Sequence, residues 1–274
     1  MAEKKVKKAK PEEKAKPAPG KLVVYDLEGK VVGEQDLPVV FKSADFRPDL
    51  IRRAVTAIEA NKRQAYAPSP TAGMRHSVST WGKGRGVSRV QRLMGSSTAA
   101  QSPNNVGGRR AHPPKVNKDL GKKVNRKEML LAKLSALGAT SSLDIVRARG
   151  HKFSEELTVP VVVKDDFESI KTTQAMVKAL SSIGVYADVE RALNGKQIRA
   201  GRGKMRGRRY RVPRSLLVVV SKDCPGARSV RNLPGVEVVT PNAINTSMLA
   251  PGGDAGRLML VSESALQAIG AWAR

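Results

Sequence analysis

The 274-residue chain carries 50 Lys and Arg against 24 Asp and Glu, a formal net charge of +26 that exceeds any need of solubility and calls for a polyanionic partner. Its longest apolar run, Leu216 to Val220, is far short of a membrane span, and residues 1–20 lack the apolar stretch of a secretory signal, so the expected location is cytoplasmic, with no membrane partner. One cysteine, Cys224, cannot close an internal disulfide, and the scattered His76, His112 and His151 lack metal-ligand spacing, so neither a cofactor nor a metal is expected.

Residues 1–19 mix Lys, Glu, Ala and Pro without a periodic apolar face, the composition of a disordered basic tail. The folded part, residues 20–274, is expected to be a single α/β domain. Leu22 to Asp26 and Lys30 to Gly33 flank Glu28-Gly29 and read as two strands joined by a tight turn. Ser43 or Asp45 can cap a helix with Pro48 in its first turn, and Ile51, Val55 and Ile58 put one apolar stripe on a helix running from Pro48 to about Arg63. A second helix is expected to open at Asn125 in capping-box fashion with Glu128, to run through Leu130, Leu134 and Leu137, and to stop at Gly138.

Between these helices, residues 64–124 form one long Gly-, Pro-, Ser- and Asn-rich connection without sustained periodicity. Such long irregular loops are usually functional or disordered. Backbone ordering costs roughly 1–2 kcal/mol per residue, so a loop with few apolar anchors needs an external scaffold to hold it.

Beyond Gly138, Asp144 to Ala148 and Thr158 to Lys164 read as strands, Asp165-Asp166 as helix-start residues, and Thr172 to Ile183 as a helix ending at Gly184. Ser215 to Val220 has the continuous apolar texture of a strand buried on both faces, followed by strands at Val236 to Val239 and Leu258 to Val261 and a helix from about Ser264 to Trp272. The alternation implies a three-layer α/β domain with a mostly parallel sheet, interrupted by the long basic loop and by a basic insertion at 191–214.

The excess charge is concentrated. Eleven Lys or Arg and no acid lie between Glu59 and Asp119, and eleven more with no acid between Glu190 and Asp223. Solvated charged faces normally mix signs, whereas arginine forks among glycines suit phosphate oxygens. The candidate RNA-binding residues in the loop are Arg75, Trp81, Lys83, Arg85, Arg89, Arg92, Arg109, Arg110, His112 and Lys115. In the insertion they are Arg199, Arg202, Lys204, Arg206, Arg208, Arg209, Tyr210 and Arg211, with Tyr210 able either to stack on a base or to pack on the domain.

Gly82, Gly84 and Gly86 follow no strand and lack the dinucleotide-binding order, Gly201, Gly203 and Gly207 miss it by one residue, and no Walker sequence occurs. Carboxylates for acid-base chemistry are missing from both segments. His112 between Arg110 and Pro113 could act as a base but fits phosphate donation or simple exposure better, so no catalytic residue is expected. Neither block has the helical periodicity needed to read a DNA major groove, which favours folded RNA.

Four segments in order resemble the archaeal and eukaryotic branch of the large-subunit ribosomal protein four family. They are Gly107-Gly108-Arg109-Arg110-Ala111-His112-Pro113-Pro114, Arg199 to Tyr210, Asn232-Leu233-Pro234-Gly235-Val236, and Leu249-Ala250-Pro251-Gly252 with Gly256-Arg257-Leu258. The resemblance spans nearly the whole chain and implies a structural constituent of the large ribosomal subunit that binds its rRNA and supports its folding. It implies neighbouring ribosomal proteins as partners and a loop that reaches the peptide exit tunnel, with Lys83, Arg85 and Arg89 at the tip near the nascent peptide. Ending at Arg274, the chain resembles the archaeal members, whereas the Lys-rich tail departs from their pattern. The alternative from another class is an RNA-modifying enzyme with a nucleotide pocket in the α/β domain.

Overall fold

The computed structural model describes residues 20–42, 45–154 and 156–273. The tail at 1–19 and the expected cap Ser43 lie outside them. Strands β1 (Lys21–Tyr25) and β2 (Val31–Asp36) form the expected pair, closed by the Gly29 N–H donating to Asp26 O at 3.0 Å and the Asp26 N–H to Lys30 O at 2.9 Å. A short α1 (Val39–Lys42) buries Val40 and Phe41 ahead of α2 (Pro48–Asn61). The first helical bond of α2 runs from Ile51 N to Arg47 O, so Arg47 rather than Asp45 holds the cap position. The Asp45 carbonyl instead accepts the Ser135 hydroxyl at 2.9 Å, and Ser135 Oγ accepts the Arg47 N–H at 2.8 Å.

Residues 59–122 form a compact unit of their own, in which the two-residue strands β3 (Val78–Ser79) and β4 (Arg92–Leu93) pair antiparallel. Only Ala60, Ala100 and Ser102 are buried among its described residues, too few apolar contacts to offset ordering of the backbone. The other unit takes the described residues of 1–58 and 123–274 and contains the sheet.

Helix α3 (Arg126–Ala139) starts where expected, but the Asn125 side chain makes no capping bond. Glu128 turns away from the cap to pair with Arg53 at 3.3 Å, and the helix passes through Gly138. The expected strand at Asp144 to Ala148 is instead helix α4 (Leu143–Ala148). Its β-branched Ile145-Val146 pair suggested a strand, yet the core-facing residues are Leu143 and Val146, three apart on one helical face, with Asp144 and Arg147 exposed.

Strand β5 (Val161–Val163) is shorter than expected because Pro160 has no N–H to give to the ladder. A 3-10 turn at Asp165–Ser169 leads to α5 (Thr173–Ile183), capped by the Thr172 side chain accepting from Ala175 N and ending at Gly184 as expected. Helix α6 (Tyr186–Asn194) was hidden by its charged residues next to the basic insertion, which consequently begins only at Gly195. Strands β6 (Gln197–Ile198) and β7 (Tyr210–Arg211) pair within that insertion. Then follow β8 (Leu217–Val219), α7 (Pro225–Arg231), β9 (Glu237–Val239), α8 (Thr246–Leu249), β10 (Met259–Ser262) and α9 (Glu263–Gly270), the last continued by a 3-10 turn at Ala271–Ala273.

The sheet order is β2-β1-β5-β10-β8-β9, with every neighbouring pair parallel except the antiparallel edge β2-β1. Alternate residues feed two cores. Val23, Val161, Val163, Val218 and Leu260 meet α5, α6 and α7 on one face, while Leu22, Val24, Val162, Leu217, Val219 and Val261 meet α1, α2, α3 and α9 on the other. The three-layer α/β architecture with a mostly parallel sheet is therefore the expected one. Each such side chain contributes roughly 1.5–3 kcal/mol on burial. Among the described residues no helix is long and apolar enough to cross a membrane.

The largest fully buried side chain of this packing is a charged one. Arg257 is fully buried ahead of β10 and donates from Nε to Ser215 O (2.9 Å), from Nη1 to Met248 O (2.9 Å) and the Glu237 carboxylate, and from Nη2 to Leu216 O (3.2 Å) and Gly235 O (3.3 Å). It ties the start of β8, the turn before β9 and α8 to one guanidinium. Burial pushes its pKa down, and the Glu237 carboxylate opposes that shift. Removing one partner of a buried pair strands the others, so Arg257→Met should lower the unfolding free energy by about 3–5 kcal/mol in urea melts. A loss below about 1 kcal/mol would show that the freed carbonyls find other partners.

Candidate nucleic-acid interface

Apart from Arg191 and Arg214, which pair with Asp188 and Glu237 at the ends of the insertion, the cations of the acid-free segments form no ion pair among the described residues. Of the 18 candidate residues, none forms an ion pair among the described residues; Trp81, Arg92 and Arg109 are partly buried and the rest are exposed. Uncompensated cations on an exposed backbone are a phosphate-binding arrangement.

In the long loop, the β3–β4 ladder closes a tip spanning residues 80–91. Trp81 lies there with the Arg85 guanidinium 5.5 Å and the Arg92 guanidinium 5.1 Å from its ring centre. Arg92 also donates to Ser97 O and to Ser88 O (3.3 Å), so much of its bonding capacity holds the tip together. Lys83, Arg85 and Arg89 are exposed, as are Arg75, Arg110, His112 and Lys115. The arginine pair is preceded by a glycine for a steric reason: a Cβ at Gly108 would come within 1.8 Å of Ser102 O. That close passage lets the Arg109 N–H reach Gln101 O at 3.2 Å.

The insertion is a second small platform. Gln197 pairs with Arg211 and Ile198 with Tyr210, and the Arg199 N–H donates to Arg209 O at 2.7 Å. The Arg199 side chain closes back on Arg208 O (3.2 Å) and Tyr210 O (3.4 Å), while a 3-10 turn at Arg202–Met205 carries the tip. Arg202, Lys204, Arg206, Arg208, Arg209 and Arg211 are exposed around it. Tyr210 is 48% exposed, with Lys196 Nζ at 4.4 Å and the Arg209 guanidinium at 5.6 Å from its ring centre. A ring flanked by cations offers a face for base stacking.

One buried and one partly buried carboxylate fix the ends of this platform. Asp188, fully buried on α6, accepts from Arg191 Nε (2.8 Å), from Lys152 N (3.0 Å) and from His151 Nδ1 (2.9 Å), and Arg191 Nη2 also reaches Arg214 O at 2.8 Å. On the far side, Arg214 Nη1 lies 2.5 Å from Glu237 Oε1, whose other oxygen faces Arg257. Sequence reasoning missed these positioning residues. The Asp188–Arg191 spacing of three was the available signal; the pairing of either with His151 or Arg214 depends on tertiary structure.

Chemically the surface can hold anions and stack bases. Among the described residues no group of three or more His, Cys, Asp or Glu side chains could hold a metal. Burial alone would raise the Asp188 carboxyl, but hydrogen bonds from His151 and Arg191 outweigh it and leave the pKa lowered. Since the folded group deprotonates more readily than the unfolded one, its stabilisation is complete above the unfolded value of about 4 and is lost as pH falls through the folded value. Asp188→Asn should therefore cost about 3–5 kcal/mol at pH 7 and flatten the loss of stability below pH 4, measured as urea midpoints across pH. Parallel acid limbs in the two proteins would refute that assignment.

The model of the Ribosomal protein L4/L1 family matches residues 36–272. The chain is 48% identical over 246 residues to a protein of Methanothrix thermoacetophila named large ribosomal subunit protein uL4, covering 90% of this chain and 97% of that one. A protein of the same name from Archaeoglobus fulgidus is 46% identical over 252 residues, covering 92% of this chain and 99% of its own length. Another, from Natronomonas pharaonis, is 48% identical over 246 residues, covering 90% and 97%.

Proposed function

The chain belongs to the ribosomal protein L4/L1 family, and from that premise we propose that its two acid-free segments bind large-subunit rRNA while the α/β domain anchors them. The protein is a structural constituent of the large ribosomal subunit in the cytoplasm and not an enzyme; the RNA-modifying alternative falls with that membership. The observation that carries the RNA reading is the set of exposed cations on the loop and the insertion that have no carboxylate partner among the described residues.

The long loop orders against rRNA, and its tip, with Lys83, Arg85 and Arg89, lines the exit tunnel near the nascent peptide. Neighbouring large-subunit proteins are the other partners. Support for the loop reading comes from its composition and from the scarcity of buried side chains between residues 59 and 122. The insertion binds a separate stretch of rRNA, with Tyr210 as its stacking surface.

Two measurements test this. The protein should cosediment with large subunits after a moderate salt wash, whereas recovery only in the soluble fraction overturns the assignment. By hydrogen exchange on the free protein, amides of residues 64–124 should exchange almost immediately while those of β8 and β10 are protected to the limit of global unfolding. Protection of the free loop would contradict its dependence on RNA.

A further inference from the structure

The long loop lines an open cavity of about 220 Å³, built entirely from residues 73–109. The β3–β4 ladder forms one side, and the chain is brought back across it by the Ala100 N–H donating to Gln91 O at 2.8 Å and the Arg109 N–H to Gln101 O at 3.2 Å. Met74, Val78, Leu93 and Pro103 supply apolar lining, and His76, Gln91, Gln101 and Ser102 are the polar residues among them. Met74 and Val78 remain 55% and 41% exposed, so the segment leaves apolar surface uncovered where a folded domain would place a core side chain.

The lining specifies an occupant. A drug-sized ligand normally fills about 300–1,000 Å³, and this space is smaller. Apolar walls suit the faces of a flat ring, and each carboxamide can both donate and accept, matching the mixed hydrogen-bonding edge of a nucleobase. No acid lies between Glu59 and Asp119, so the flanking phosphates meet only cations or neutral groups of this segment. Arg109 stands at the cavity with its stem against Gly73, where a Cβ would come within 2.7 Å of Arg109 Cβ.

We infer that this cavity receives a single unstacked nucleobase of the bound RNA, which completes the small core that the loop does not supply for itself. The inference rests on the RNA-binding reading above and adds a site that contacts a base in a segment otherwise equipped for phosphates.

The test uses the full-length protein with purified large-subunit rRNA, its affinity measured from 50 to 200 mM salt. Gln91→Leu with Gln101→Leu removes the edge contacts, and Val78→Trp, at an exposed position, plugs the space. Each should weaken binding by about 10- to 100-fold without changing the slope of log affinity against log salt, because no phosphate contact is lost. Arg85→Gln with Arg89→Gln serves as the contrasting control and should reduce the slope. Wild-type affinity in both cavity variants overturns the inference, as does a loss accompanied by a fall in slope like that of the control. A flat salt dependence of the wild-type protein removes the RNA reading itself, an outcome distinct from failure of the base site alone.

Discussion

The guanidinium of Arg257 is the constraint on which the basic insertion depends. It holds Ser215 and Leu216 at the entrance to β8, Gly235 before β9, and Met248 in α8. Glu237, the carboxylate that compensates it, also takes Arg214 at the end of the insertion. A charge buried for the sake of the sheet thus sets where the second basic segment re-enters the fold. At the other end, Asp188 gathers His151, Lys152 N and Arg191. Held at both stems, the hairpin of β6 and β7 presents its arginines without needing a core of its own.

This explains how the charges are divided. Within the domain, three acids each hold an arginine: Asp188, Glu237 and Glu128. Outside it, arginine is attached to aromatic rings and to backbone carbonyls, as with Arg92 over Trp81 and Arg199 against Arg208 O. Such neutral partners orient a guanidinium without cancelling its charge, so the field presented to a polyanion stays intact.

The elements that the sequence revealed were those whose signal is local. The continuous apolar run around Leu217 to Val219, the strand pair at β1 and β2, and the helix from Thr173 to Ile183 with its Thr172 cap and Gly184 stop all declare themselves by periodicity and end residues. Leu143 to Ala148 misled because two β-branched residues in six outweighed a core face only two residues wide. Tyr186 to Asn194 was obscured because its one buried acid, Asp188, looks like surface until His151 and Arg191 are in place. The two basic segments were legible because missing carboxylates are a property of composition. Arg257 was visible only as part of a family motif, and the cavity between Val78, Leu93 and Gln101 depends on strand pairing across a loop with no periodicity.

Helices α2 and α3, from which the long loop departs and to which it returns, are joined without it, through Ser135 to Asp45 and Arg47 and through Arg53 to Glu128. To the domain, residues 59–122 are one closed circuit of 64 residues. Chain statistics put the length-dependent entropy of that closure at only about 4 kcal/mol, and doubling the length would add about 0.6 kcal/mol. The domain is therefore nearly indifferent to how much chain the circuit contains. Its length answers instead to reach: an out-and-back path of this size extends at most about 100–115 Å.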